Sequence, residues 1–175
     1  MRLFLALNPP PELRLRLGEL ADIAHAHCGG RRVPTANLHL TLAFLGEVEE
    51  TRAEALANWV RGLTVAPGEW RLDAWGHFRR PGIVWIGGQR PDPVLTALHH
   101  RLWKTLEGQG ITGRSGRFLP HVTLLRQATK QDSQALPPPP AWRWLYDRIA
   151  LMQSVTDHRG ACYRTLAQSP PASDA

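Results

Sequence analysis

The chain has 175 residues, 43% of them hydrophobic and 21% charged, a balance that fits one globular domain or two half-size lobes sharing a core. No apolar run is long enough to span a bilayer, and the N-terminal MRLFLALNPPPE is too short in its apolar part for a secretory signal. The formal net charge is +6 and the pI about 10.3, which suggests a polyanionic partner. Of the 21 basic residues only Lys104 and Lys130 are lysines. Arginine forks suit bidentate phosphate contacts, although a GC-rich genome produces the same bias. Cys28 and Cys162 lie far apart and in no CxxC pair, so a disulfide framework or thiolate zinc site is not expected and a reducing cytoplasm is the simple location.

In chain order, Arg2 to Leu7 reads as a strand. Pro9-Pro10-Pro11 opens a helix whose stripe is Leu13, Leu17, Leu20 and Ala24, and Gly29-Gly30 ends it. Leu38 to Leu45 alternates as a strand does. Thr51-Arg-Ala-Glu54 has the form of a capping box ahead of Leu56, Trp59 and Val60. Trp70 to Phe78 and Ile83 to Ile86 flank Arg-Arg-Pro-Gly and predict a hairpin. Asp92-Pro93 predicts the cap of a third helix, with Leu95, Leu98, Leu102 and Leu106 inward and Gly108 as its stop. A basic loop, Arg114 to Arg117, precedes a strand from His121 to Leu125. Pro137 to Pro140 is a rigid extended loop. Trp144 to Val155 and Ala161 to Leu166 predict a last hairpin around Asp157-His-Arg-Gly160, and the tail from Ser169 reads as flexible. The order points to mixed helix and sheet with largely antiparallel pairing. No glycine-rich phosphate loop is present.

Two segments repeat one pattern: Asn37-Leu-His-Leu-Thr-Leu-Ala-Phe-Leu-Gly46 and Leu119-Pro-His-Val-Thr-Leu-Leu-Arg126. On a strand, residues i and i+2 share a face. His39 therefore shares one with Thr41, and His121 with Thr123, while the intervening apolar residues face the core. Two such strands side by side would set two imidazoles and two hydroxyls around one cleft. A neutral imidazole can take a proton from an attacking oxygen and a protonated one can give a proton to a leaving oxygen. The hydroxyls can bond non-bridging phosphate oxygens, and Arg126 can neutralise charge on the phosphoryl group. One difficulty follows from parity. Phe44 and Arg126 are each the fifth residue after their histidine, and an odd offset sends a side chain to the opposite face. If both are to reach the cleft, each strand needs an irregularity, between Thr41 and Phe44 and between Thr123 and Arg126.

On these residues, together with Arg2-Leu-Phe-Leu-Ala-Leu7 and the Phe78 to Gly87 hairpin, the chain resembles the RNA 2′,3′-cyclic phosphodiesterases, or 2′-5′ RNA ligases, of the two-histidine phosphoesterase superfamily. The resemblance implies an α+β, bilobal fold with two largely antiparallel sheets, flanking helices, a pseudo-two-fold and an active cleft between the lobes. Length and the order of elements predict one two-lobed domain over residues 1–168 with a flexible tail at 169–175. The resemblance also implies metal-independent hydrolysis of RNA 2′,3′-cyclic phosphate ends to a 2′-phosphate without cofactor, and reversible 2′-5′ ligation of tRNA halves. With no obvious coiled coil in the sequence, a monomer is expected. By position, His39 would be the general acid and His121 the general base; from the residues alone the two are interchangeable. Thr41, Thr123 and Arg126 would hold the phosphate and Phe44 would stack on a base. Arg114 and Arg117 are candidates for RNA-backbone contacts. A non-catalytic RNA-end binder and a phosphodiesterase for a small cyclic nucleotide are the alternatives.

Other residues are set aside as structural. His25, His27 and Cys28 do not share a helix face and suit a helix C-terminus. His99 belongs to the apolar side of the third helix as a hydrogen-bonded core residue; His100 is expected outside. His158 sits in a turn and His77 in a hairpin. Trp70, Trp75, Trp85, Trp142 and Trp144 are expected to pack in the core or hairpins.

Overall fold

The two His-x-Thr segments meet at the centre of an antiparallel sheet. The computed structural model describes residues 1–114, 116–130 and 135–172. In chain order its elements are β1 (Arg2–Leu7), α1 (Pro11–Cys28), β2 (Arg31–Arg32), a 3-10 turn (Thr35–Asn37), β3 (Leu40–Glu47), α2 (Glu50–Arg61), β4 (Gly68–Leu72), β5 (Ala74–Phe78), β6 (Ile83–Gly87), α3 (Pro93–Gly108), β7 (His121–Arg126), β8 (Trp142–Tyr146), β9 (Ala150–Asp157) and β10 (Gly160–Gln168). The main sheet runs β10-β9-β1-β3-β7-β6-β5, with β2 also beside β7, while β4 and β8 form a separate ribbon. The fold is α+β with antiparallel pairing, as the element order predicts.

The sheet is two halves joined at one register position, Leu40 opposite Val122. These are the middle residues of the two His-x-Thr motifs. An antiparallel pair carries a local two-fold axis between facing residues, and here that axis relates one motif to the other. The elements around it repeat: β1, α1 and β3 on one side, β6, α3 and β7 on the other. Helix α1 follows β1 but packs on β7; α3 follows β6 but packs on β3. Each helix thus ties its own half to the opposite one. Leu40, Val122 and Leu124 lie at 0–1% exposure on the helix side, in a core with Leu3, Leu5 and Leu7.

Local signals account for most boundaries. Pro11 opens α1, Leu13, Leu17, Leu20 and Ala24 are buried, and Gly29 ends the helix at φ 66°, where a β-carbon would be strained. In α3, the Asp92 carboxylate accepts from the Val94 and Leu95 amides at 3.0 and 3.1 Å.

Four expectations need correction. Thr51 does not cap α2: the chain leaves β3 with the Val48 amide bonded to the Met1 carbonyl at 2.7 Å, so Glu49 becomes the N-cap, without a side-chain bond. Trp70 to Phe78 is not one strand. It breaks at Asp73, whose amide bonds the Gly87 carbonyl, and the first part pairs with β8 through Trp70 opposite Trp144. Both indoles are 1% exposed with centroids 5.4 Å apart, and this burial draws each strand out of its expected hairpin. Gly108 is the last residue of α3 and not its stop; Gln109 and Gly110, at φ 81°, close it. The tail does not loosen at Ser169, which is 2% exposed. Its hydroxyl accepts from the Ile149 amide at 2.8 Å and its amide donates to the Ile149 carbonyl at 2.9 Å. Residues 173–175 of that tail lie outside the described residues.

Candidate active site

Because Leu40 faces Val122, antiparallel geometry runs His39 toward Thr123 and Thr41 toward His121, all four on the face opposite the helices. All four remain partly exposed on that face. Both strands bulge where parity requires it. In β3, Thr41 pairs with Ala6 and Ala43 with Leu5, so Leu42 is an extra residue. In β7, Thr123 pairs with Trp85 and Leu125 with Val84, so Leu124 is an extra residue. Each bulge follows its threonine directly, at two-fold-related positions. Phe44 pairs with Phe4, which shares a face with Ala6, so Phe44 comes back to the face of Thr41. The same count returns Arg126 to the face of Thr123.

The two imidazoles are held alike. The Nδ1 atom of His39 lies 2.6 Å from the Asn37 carbonyl oxygen, and that of His121 lies 2.7 Å from the Leu119 carbonyl oxygen. A carbonyl can only accept, so Nδ1 carries the hydrogen in both rings and Nε2 is left to exchange protons. The Thr41 hydroxyl donates to Nε2 of the neutral His39 at 2.8 Å. Among the described residues nothing bonds Nε2 of His121. Each ring also rests against an aromatic pair. Phe4 and Tyr163 lie 4.9 and 5.3 Å from His39, centroid to centroid, and Phe78 and Trp85 lie 5.2 and 5.7 Å from His121. Gly76, across from Trp85, makes room for that indole; an added Cβ would run into it.

Burial pushes the His39 pKa down to about 4, and the positive charges of Arg126 and Arg14 act in the same direction. Burial and Arg126 also lower His121. Arg126 is therefore close enough to act on both rings. It is half-buried, and among the described residues no carboxylate pairs with it. A bound anion would meet this guanidinium, two hydroxyls and two imidazoles.

Beside Thr41 and His121 opens a cavity of about 430 Å³, walled by Phe44, Phe78, Arg117 and Phe118. Phe44 is 47% exposed, with the Arg2 guanidinium 5.0 Å from its ring centre. Arg117 reaches this wall. Arg114 does not; it turns to Glu107, 3.6 Å away. His77 is exposed and away from the cavity, and His100 is exposed. His99 is buried, but not as a hydrogen-bonded core residue. Among the described residues its Nδ1 has no partner, its ring stacks on Phe118 at 3.9 Å and 7°, burial lowers its pKa to about 4, and it forms part of the cavity wall. Among the described residues no three His, Cys, Asp or Glu side chains cluster to hold a metal ion. No helix there is long and apolar enough to cross a membrane.

The motifs did not point to Asn37, Arg14 or Tyr163. Asn37 is buried, bonds the Ala161 carbonyl through Nδ2 at 2.8 Å, and presents its own carbonyl to His39. The asparagine and arginine act through backbone carbonyls, which leave no side-chain pattern to read.

Compared with known proteins, residues 9–158 match the family described as the 2′-5′ RNA ligase superfamily. The chain belongs to that superfamily. A superfamily relative from Escherichia coli K12, named RNA 2′,3′-cyclic phosphodiesterase, is 37% identical over 146 residues, covering 83% of this chain and 81% of the relative. The crystal structure of E. coli LigT in apo form superposes with a TM-score of 0.84 at 30% identity over 98% of each chain. LigT complexed with 3′-AMP gives a TM-score of 0.81 at 31% identity over 95% of each. The superfamily fold therefore extends across almost the whole chain.

Proposed function

We infer that this protein is an RNA 2′,3′-cyclic phosphodiesterase that opens a cyclic phosphate end to a 2′-phosphate by histidine acid–base catalysis. The observation that carries the reading is the two-fold arrangement of His39, Thr41, His121 and Thr123 on one face of the paired strands, with Arg126 acting on both rings and unpaired by any carboxylate among the described residues. The names of the relatives supply the RNA substrate.

In this mechanism the cyclic phosphate lies against Arg126, Thr41 and Thr123. Nε2 of His121, which has no hydrogen-bond partner among the described residues, takes a proton from water as the water oxygen attacks phosphorus. The bond from phosphorus to the 3′-oxygen breaks in line, and His39 gives its Nε2 proton to that oxygen. The phosphate stays on the 2′-oxygen. His39 is neutral near pH 7 in the free protein, since its pKa is about 4. The arriving anion offsets Arg126 and Arg14 and lets the ring take up its proton, so substrate binding and proton uptake are coupled. Run backwards with a 5′-hydroxyl replacing water, the same groups form a 2′-5′ linkage, for which tRNA halves would serve as substrates. Phe44 offers a face for the terminal base, and Arg117 meets the RNA where the cavity opens. No step needs a metal or cofactor.

The test is hydrolysis of an RNA oligomer ending in a 2′,3′-cyclic phosphate, in excess chelator, with the product mapped as 2′- or 3′-phosphate. A 2′-phosphate supports the reading. Binding without product would make the chain an RNA-end binder, and turnover only of free cyclic nucleotides would move the substrate to small molecules.

A further inference from the structure

Arg14 lies on α1, outside both motifs, yet its half-buried guanidinium closes on the loop that delivers His39. Its Nη1 donates to the carbonyls of Thr35, Ala36 and Leu38 at 3.0, 3.1 and 2.8 Å. Of four successive carbonyls, Arg14 gathers three. The remaining one, at Asn37, is the carbonyl that accepts from Nδ1 of His39 at 2.6 Å. The Asn37 side chain is anchored separately on the Ala161 carbonyl of β10. A rotation of this loop would break the Nδ1 bond and swing Nε2 away from Thr41. The loop ahead of His121 differs: among the described residues no side chain donates to the carbonyls of 116–120 apart from His121 itself.

We propose that Arg14 is a positioning residue for His39, gripping the carbonyls on either side of Asn37 so that the Asn37 carbonyl fixes the imidazole and aims Nε2 at the reacting phosphate. Among the described residues the clamp serves His39 and has no counterpart at His121. It gives the two-fold site a built-in asymmetry, which the acid and base roles require. This inference rests on the phosphodiesterase reading only for its kinetic arm.

The experiment compares Arg14→Met and Arg14→Lys with the parent protein. Methionine keeps an unbranched stem without donors or charge; lysine keeps the charge on a stem one bond shorter, so its ammonium stops short of the place Nη1 holds among the three carbonyls. A displacement of about 1 Å at a catalytic group costs on the order of 10²-fold, so both variants should lose about 10- to 100-fold in kcat, with KM within about threefold of the parent. The pH profile separates them. Arg126, Arg14 and His121 act on His39 by charge, and the titratable Tyr163 faces its ring from β10. Losing Arg14's positive charge favours the protonated ring, so Arg14→Met should move the acid limb of kcat/KM upward while Arg14→Lys leaves it in place. In parallel, side-chain 15N NMR of His39 should show one Nδ1–H tautomer in the parent and a mixture in Arg14→Lys. Unchanged kcat and tautomer in Arg14→Lys would overturn the proposal, as would a raised KM at constant kcat in either variant. Should Arg14→Met not fold, the lysine variant and the NMR arm decide. A parent protein inactive on cyclic phosphates would sink the phosphodiesterase reading and leave the tautomer test standing.

Discussion

Acidification should destabilise this protein steeply between about pH 6.5 and pH 4, because two partly or fully buried imidazoles exclude a proton that the unfolded chain binds. His39 and His99 both fall from the ordinary value of 6.5 to about 4. The sign follows from linkage: where the unfolded state holds more protons, stability rises with pH. The stabilisation of the neutral rings is complete above 6.5 and is lost as pH drops toward 4. For one ring with this shift, linkage gives a loss of about 2 kcal/mol at pH 5, so the pair should lose about 4 kcal/mol, a large part of a typical stability of about 5–15 kcal/mol. Urea melts at pH 7 and pH 5 measure it. His99→Leu should remove about 2 kcal/mol of the loss, since His99 is 3% exposed and among the described residues its Nδ1 has no bond to break. Inorganic phosphate should stabilise more at pH 5 than at pH 7, because the anion brings back the proton of His39. Equal urea midpoints at the two pH values, or a His99→Leu variant with the full pH dependence, would refute the reasoning.

Arg126→Gln should lower kcat by about 10²- to 10³-fold, the usual cost of losing a donor to developing charge. It should also raise the pKa of both histidines, so the kcat/KM profile moves to higher pH; a profile left in place would remove Arg126 from the cleft. Phe44→Ala should raise KM for an oligonucleotide by about 5- to 150-fold, matching a stacking energy of about 1–3 kcal/mol, with little change in kcat. Phe44→Trp should keep the affinity. A KM unchanged in Phe44→Ala would show that the base lies elsewhere.

The centre of this site was legible because strand parity is a strict rule. A duplicated His-x-Thr on two strands fixes which side chains share a face, and the odd offset of Phe44 and Arg126 demands an irregularity in each strand. The extra residues Leu42 and Leu124 are those irregularities. Helix stripes and the Asp92 cap were legible for similar local reasons. What escaped depends on long-range partners. The β4–β8 ribbon exists because Trp70 and Trp144 bury each other across the chain, and no local pattern announces that choice. Thr51 has the composition of a cap, but the bond between Val48 and Met1 sets where the strand ends. Ser169 reads as tail and is instead bonded to Ile149. His99 fits a helix stripe, and only the fold shows its face on Phe118 and its edge in the cavity wall. Arg14 and Asn37 work through main-chain carbonyls, which every residue has.

The central claim is that two histidines divide one proton-transfer cycle at a cyclic phosphate. Single-turnover hydrolysis of a 2′,3′-cyclic phosphate RNA end by His39→Ala, His121→Ala and the double variant tests it most directly. Each single variant should be slower by about 10²- to 10⁴-fold, and the double variant should be little slower than the worse single, because the groups act as a unit. Full activity in either single variant would contradict the account.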